Sequence, residues 1–316
     1  MSVTTQTPHK SLFAGAYLVL DGHPSLTVAI PPRLTLEWSE TVELPADNPF
    51  AQAAWSVVSE WAVQEGLSLK SGGFVTSVSE ETHGWGLGSS AAFTTALTGA
   101  LLHSALGVEP ERELLFALAR RAHRVGQGGK GSGADIAACT WGGLVSVEQA
   151  QGDETPQVEP LTWPEYLGFV LVRGEQKADT RQLIQRYRDS EEKPSVTALV
   201  ETIHSLRRVF RDGENVFVPL RQLAMLEEQW SLETGLPLAT PLLQKLGKAA
   251  RVLSQDVVIK SLGGGGGDSI GCFYDRRRVD LANLREFFGM FPVDIRPVDI
   301  EATGCRFLAS SQPLSQ

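Results

Sequence analysis

The chain has 316 residues, 42% hydrophobic and 21% charged, with a net charge of −9, the profile of a soluble globular protein of one large or two ordinary domains. The acidic balance argues against nucleic acid or an anionic membrane surface as the main partner. Cys139, Cys272 and Cys305 form no CxxC or Cys/His metal spacing and no run of 18 apolar residues occurs, which points to a reducing, cytoplasmic setting with no membrane span.

The first ten residues are polar and lack the apolar core of a secretory leader. Lys10 stands just before an apolar run over 11–20, closed by the turn residues Asp21-Gly22-His23-Pro24. Read alone, Lys10 is a solvated terminal lysine. Leu26, Val28 and Ile30 alternate, as do Leu34, Leu36 and Trp38 after Pro31-Pro32, which predicts a strand, a turn and further strands. Residues 49–65 put Ala54, Val57, Val58, Trp61 and Ala62 on one face and stop at Gly66, as a helix does. Phe74, Thr76 and Val78 predict a strand leading into Thr82-His83-Gly84-Trp85-Gly86-Leu87-Gly88-Ser89-Ser90-Ala91-Ala92.

Three glycines within five residues let this central loop take positive φ and approach a ligand closely. The small apolar stretch over 91–102 reads as a buried helix. A glycine-rich loop feeding a helix N-terminus is an anion site that suits phosphate. No Gly-Lys-Ser/Thr ends the loop, so it is not a Walker motif, and the alternation of Gly84, Gly86 and Gly88 is not the dinucleotide fingerprint. A flexible turn before a core helix is the alternative reading.

Pro110 opens a second helix, with Leu114, Leu115, Leu118, Ala119 and Ala122 as its buried face. Arg120, Arg121, His123 and Arg124 suit the negative end of its dipole, and would equally serve solubility. A second glycine-rich loop over 126–133 carries Lys130 and Ser132 and runs into a helix beginning near Asp135, which either caps that helix or belongs to an anion site. Residues 149–160 form a polar break taken as the boundary between domains 1–160 and 161–316. Beyond it come a strand over 167–172, a loop in which Asp179 or Thr180 caps a helix over 181–188, and three further helical stretches. A strand at 257–259 runs into a loop with five consecutive glycines, 263–267, followed by Asp268. Ordering that many glycines for packing alone would be costly, and closely flanking strands conflict with a flexible linker. A strand over 270–274, a helix over 279–288 and a strand over 293–300 complete an α+β pattern.

Three of these segments, in order, resemble the motifs of GHMP-superfamily small-molecule kinases: Lys10 with the strands that follow it to Ile30, the loop Gly86-Leu87-Gly88-Ser89-Ser90-Ala91-Ala92, and the glycine-rich stretch from Ser261 to Asp268. Gly15-Ala16-Tyr17-Leu18-Val19-Leu20, Ala122-His123-Arg124, and Gly128 through Asp135 are most similar to the phosphomevalonate kinases. The resemblance implies a two-domain GHMP kinase-like α+β architecture, with a ferredoxin-like C-terminal domain and the site between the domains. It implies ATP and Mg²⁺ as cofactors, phosphates held by Gly86, Leu87, Gly88, Ser89, Ser90 and Ala91, and the metal on the Ser90 hydroxyl. Asp135 is implied as general base or orienter of the acceptor, with Lys10 and Lys130 supplying positive charge. Ser132, His123, Arg124, Thr180, Lys130, Gly264, Gly265, Gly266 and Asp268 are implied as substrate contacts. The reaction implied is conversion of 5-phosphomevalonate, a small anionic substrate, to the 5-diphosphate in isoprenoid precursor synthesis, by a monomer or homodimer. Mevalonate kinase, another GHMP kinase, a diphosphomevalonate-type decarboxylase and a non-catalytic nucleotide-binding homologue are the alternatives. Two positions depart from the pattern: Ala16 stands where the family usually has Glu, and Gly84 where phosphomevalonate kinases usually have Lys.

Overall fold

The computed structural model describes residues 2–77, 84–129, 131–149, 155–174, 180–189, 196–265 and 269–308, with the backbone alone at 180–182 and 184. Two antiparallel sheets organise the chain. The first contains β1 (Ser2–Ala14), β2 (Ser25–Ser39), β3 (Gly73–Ser77), β4 (Leu144–Glu148), β5 (Gln157–Leu161) and β10 (Arg306–Leu308), in the order β10-β1-β2-β4-β5, with β3 also on β2.

Here the structure differs from the sequence reading. The polar opening residues are part of β1, so Lys10 lies within the strand and not before it. Thr5 and His9 reach Ala96 and Ser89 of the helix packed on this face of the sheet, and their burial follows from that packing. Thr5 keeps its hydroxyl satisfied by donating to the Ala96 carbonyl at 3.1 Å. The apolar run beyond residue 14 is not a strand. Gly15 turns the chain at φ 83°, where a Cβ would lie 2.5 Å from the Pro24 carbonyl oxygen, and a 3-10 turn covers Leu18–Asp21. Pro31-Pro32 interrupts nothing either. β2 runs through it, and the pairing with β1 skips from Pro8↔Arg33 to His9↔Ile30. The two prolines, which have no N–H to donate, occupy that irregularity.

Four helices cover this sheet: α1 (Pro49–Gln64), α2 (Ser89–Leu106), α3 (Arg112–Gly126) and α4 (Ala134–Trp141). Most of α2 is buried on every side, including Ala91, Ala92, Ala96, Leu97, Ala100 and Leu101, which explains its lack of an amphipathic stripe. It fills one core together with Trp38, Val57, Val58, Leu115, Phe116 and Ile136.

The second sheet holds β6 (Leu167–Arg173), β7 (Val257–Ser261), β8 (Ser269–Asp275) and β9 (Ile295–Val298) in the order β7-β8-β6-β9. Helices α5 (Thr180–Asp189), α6 (Thr197–Asp212), α7 (Phe217–Thr234) and α8 (Pro241–Leu253) separate β6 from β7, and α9 (Leu281–Gly289) separates β8 from β9. That is the βαββαβ order of a ferredoxin-like unit. Side chains alternate across its strands. Val170, Val172 and Cys272 join α8 and α9 in one core, while Phe169, Leu171 and Phe273 join α6, α7 and residues of the first sheet in another. Phe13 of β1 lies 5.8 Å from Phe273, which stacks on Phe169 at 4.9 Å. One aromatic core thus locks the two sheets together, and the loops at their shared edge are held in register. The chain then returns: Gly143 donates to Glu301 at 2.7 Å, Glu301 donates to Ala29 at 3.0 Å, and β10 pairs with β1.

Candidate active site

Gly84, Gly86 and Gly88 all take positive φ, at 79°, 61° and 74°. Between them Trp85 and Leu87 are buried, whereas Gly84 and Gly86 are exposed. The alternation has a simple cause: two apolar side chains plug the core, and each intervening glycine turns the backbone outward. Two bonds fix the loop. The Lys10 backbone N–H donates to the Leu87 carbonyl at 3.0 Å, and the Ser269 hydroxyl donates to the Trp85 carbonyl at 2.5 Å. Gly88 is the N-cap of α2, and no side chain caps that end. The first amides of α2 and the positive end of its dipole are therefore available to an anion.

Lys10 crosses this helix start. A Cβ at Gly88 would overlap its Cε and lie 3.0 Å from its Cδ and Cγ. Its ammonium reaches Asp135 Oδ2 at 3.1 Å. Asp135 sits in the first turn of α4, whose N-cap is Gly133 with no side-chain cap bond, so the carboxylate serves Lys10 and does not cap the helix. Two uncapped helix starts thus meet at one Lys–Asp pair. The pair is 11% and 32% exposed, sheltered from water but open on the carboxylate side.

Two buried histidines stand behind the serines. His9 Nδ1 lies 2.6 Å from the Pro32 carbonyl oxygen and its Nε2 lies 3.4 Å from Ser89 Oγ. His123 Nε2 lies 3.2 Å from Ser90 Oγ and 3.3 Å from Gln127 Nε2, with its ring stacked on Phe50 at 5.4 Å. Burial lowers the pKa of both, and pushes His123 down to about 4 against the pull of Asp135. Neutral His9 donates from Nδ1 to the Pro32 carbonyl, which leaves its Nε2 to accept from Ser89, while the tautomer of His123 sets the direction of its bond with Ser90. Among the described residues no group of three His, Cys, Asp or Glu side chains could hold a metal ion. A Mg²⁺ ion here would depend on the Ser90 hydroxyl, on phosphate oxygens and on water.

Residues 50–143, which include the loop, both helix starts and Asp135, match the family model of the GHMP kinases N-terminal domain. That stretch is similar to a GHMP kinase N-terminal domain. No curated protein matches it by sequence. Solved structures match over nearly the whole chain. A Lin0012 protein from Listeria innocua superposes with a TM-score of 0.84 at 22% identity, covering 98% of this chain and 100% of its own. The phosphomevalonate kinase of Streptococcus pneumoniae, in complex with phosphomevalonate and AMPPNP, gives a TM-score of 0.79 at 20% identity, covering 94% and 99%. The mevalonate kinase of Methanococcus jannaschii gives 0.70 at 18% identity, covering 98% of both chains. The GHMP kinase fold therefore extends through the ferredoxin-like unit.

Within this GHMP framework the remaining expected site residues fall in different places. Ser132 accepts from the Ala134 amide at 3.3 Å, shaping the entry to α4. His123 is buried behind Ser90. Arg124 is exposed and donates to the Gly129 carbonyl at 3.1 Å. Gly264 accepts from the Tyr17 hydroxyl at 2.5 Å, and a Cβ at Gly265 would collide with the Pro237 carbonyl. The Gly263 amide donates to Leu12 at 2.7 Å. The described part of the glycine-rich loop is therefore stapled to the N-terminal domain beside β1. Lys130, Gly266, Asp268 and the side chain of Thr180 lie outside the described residues.

Sequence reasoning missed two groups. Lys260, 2% exposed, donates to the Phe13 carbonyl at 2.5 Å and the Ser261 carbonyl at 2.6 Å, and pairs with Glu227 at 3.0 Å. This buried cluster ties the strand before the glycine-rich loop to β1. Burial raises the Glu227 pKa, with Lys260 opposing. The second is Arg173 at the end of β6, with its guanidinium beside Gly84. Only strand register places it there.

Proposed function

We propose that the chain transfers the γ-phosphoryl group of ATP to the phosphate of 5-phosphomevalonate, giving ADP and the 5-diphosphate. The observation that carries this reading is the Lys10–Asp135 pair, 3.1 Å apart, at the meeting point of two uncapped helix N-termini. Phosphoryl transfer asks for positioning and charge neutralisation more than for covalent chemistry. The amides from Gly86 to Ser90 suit the phosphate chain of ATP. Lys10 offsets charge on the transferred group. Asp135 holds Lys10 in line and accepts a proton from the attacking oxygen. An acceptor phosphate oxygen attacks the γ-phosphorus while the bond to the bridging oxygen of ADP breaks. That acceptor, with a second pKa near ~6, is partly protonated at neutral pH, and this is the proton that Asp135 takes. Ser90 would hold Mg²⁺, which supplies neutralisation of the phosphate oxygens when bound.

The fold shared with the Streptococcus pneumoniae enzyme solved with phosphomevalonate and AMPPNP supports the choice of acceptor. An acceptor panel tests it: mevalonate, 5-phosphomevalonate, 5-diphosphomevalonate and homoserine, each with ATP and Mg²⁺, following ADP and carbon dioxide. ADP formation fastest with 5-phosphomevalonate, without carbon dioxide, is expected. Faster turnover of mevalonate at equal concentration would reassign the acceptor.

A further inference from the structure

Among the described residues Tyr17 is the one residue other than glycine that takes positive φ, at 63° with ψ −45°. The Leu18 amide donates back to the Ala16 carbonyl at 2.8 Å, so Tyr17 is the centre of a three-residue γ-turn of the rare, strained hand. A bulky aromatic residue has no local reason to stand there, since Gly or Asn adopts such a backbone at far lower cost. Strain of this kind persists where the surroundings over-determine it, and it concentrates at functional sites. The surroundings here are specific. The Val19 amide donates to the Gly15 carbonyl at 3.1 Å and the Leu20 amide to the Tyr17 carbonyl at 2.8 Å, which closes the turn. Tyr17 is 4% exposed, and its ring centre lies 5.2 Å from that of Tyr187 and 6.2 Å from that of Trp230. Tyr187 in turn donates its hydroxyl to Asp21, the last residue of the same turn.

A phenylalanine would pack as well as this ring does. What the strained turn delivers beyond packing is one hydroxyl. It donates to the Gly264 carbonyl at 2.5 Å, across 247 positions of sequence. Gly264 belongs to the turn that follows β7, where the Gly265 amide closes back on the Leu262 carbonyl at 3.2 Å and the Gly263 amide donates to Leu12 at 2.7 Å. A Cβ at Gly264 would lie 3.1 Å from the Tyr17 oxygen, so the glycine lets the two segments approach. The far side of this loop is held as well, because Ser269 at the start of β8 donates to the Trp85 carbonyl of the central loop at 2.5 Å. These bonds bring the glycine-rich turn beside β1, which carries Lys10, and beside the central loop. Of the two bonds that tie Gly263 and Gly264 to the first sheet, the one from Tyr17 depends on a side chain.

We infer that Tyr17 is a positioning residue: its hydroxyl latches the glycine-rich turn over 262–265 against the strand that carries Lys10, and so holds the site in the geometry that phosphoryl transfer requires. The part concerning transfer rests on the proposed reaction, and the latch does not. The test uses the full chain with Tyr17→Phe, which keeps the ring, and with Tyr17→4-aminophenylalanine, which restores a donor of similar reach. Amide hydrogen exchange is followed at Gly263 and Gly265 and along α2, beside steady-state kinetics with 5-phosphomevalonate and ATP at a temperature where every variant is fully folded. In Tyr17→Phe, exchange at the two glycines should quicken about tenfold while α2 exchanges as in wild type. Its kcat should fall about tenfold or more with the KM for ATP within about twofold, and 4-aminophenylalanine should restore both exchange and kcat. A side chain that only packs would leave kcat unchanged. Unchanged exchange at the two glycines, faster exchange with kcat kept, or a donor variant as slow as Tyr17→Phe would each overturn the inference. Should the wild-type protein turn over no acceptor, the proposed reaction falls. The exchange rates then decide the latch alone: quickening confined to the two glycines upholds it, and its absence removes it.

Discussion

Gly88 is the position at which the site is most easily broken. Its φ of 74° costs a residue with a side chain about 1–2 kcal/mol. A Cβ there would meet Cε, Cδ and Cγ of Lys10 together. The obstruction runs along the side chain, so Lys10 cannot clear it by turning its tip. It must leave its path and release Asp135. Overpacking of this kind adds about 1–3 kcal/mol. Gly88→Ala is therefore expected to lower the unfolding free energy in urea by about 2–5 kcal/mol, the sum of the two ranges. Turnover should fall about 10²-fold, as for a reactive group displaced by an ångström. A double-mutant cycle with Lys10→Ala separates the terms. Without the lysine side chain only the backbone cost remains, so the cycle should show a coupling of about 1–3 kcal/mol, while the double variant stays inactive. Unchanged kcat in Gly88→Ala, or a coupling near zero, would refute the view that this glycine exists to let Lys10 pass.

Asp135→Asn should lower kcat by roughly 10²–10⁴-fold, with KM changed less, and should leave the melting temperature nearly intact, because the side chain makes no cap bond; a loss near 1 kcal/mol of stability with activity kept would mark a cap instead. Lys130→Met should raise the KM for 5-phosphomevalonate, most at low salt, with ATP affinity little altered, and steady-state kinetics at two ionic strengths will show it. His123 supplies a pH dependence. Its native pKa of about 4 lies below the ordinary 6.5, so the unfolded chain binds the proton first and stability is lost as pH falls from 6.5 toward 4. Between pH 7 and pH 5 this amounts to about 2 kcal/mol, with His9 acting in the same direction. Urea titrations of wild type and His123→Gln at both pH values should show a smaller loss in the variant; an equal loss would exclude His123 as its source.

The shape of the central loop was legible because its signal is backbone chemistry. The glycines alternating with Trp85 and Leu87 mark which residues turn the backbone outward and which side chains face the core. The link among Lys10, Ser90 and Asp135 came from resemblance to a family, and the structure joins Lys10 to Asp135 across 125 positions of sequence. The strand character of residues 2–10 escaped the sequence reading because these residues are largely polar, and only the helix packed on the sheet buries Thr5 and His9. The Glu227–Lys260 pair has no recognisable spacing, since its partners come from α7 and β7. Arg173 looked like the polar end of an apolar run, and only its register opposite Ser269 turns it toward Gly84.

The return of the chain to β1 has a consequence for how the protein is made. Residues 301–308 supply Glu301 to Ala29 and Gly143, carbonyls of Thr303 and Gly304 to the Arg33 guanidinium, and a strand to the edge of β1. β1 carries Lys10. During synthesis the N-terminal sheet therefore emerges first but keeps one open edge until residues 301–308 have left the ribosome. The strand that presents the lysine of the site waits for the last described strand to close beside it, so vectorial synthesis delays the completed site until residues 301–308 have emerged.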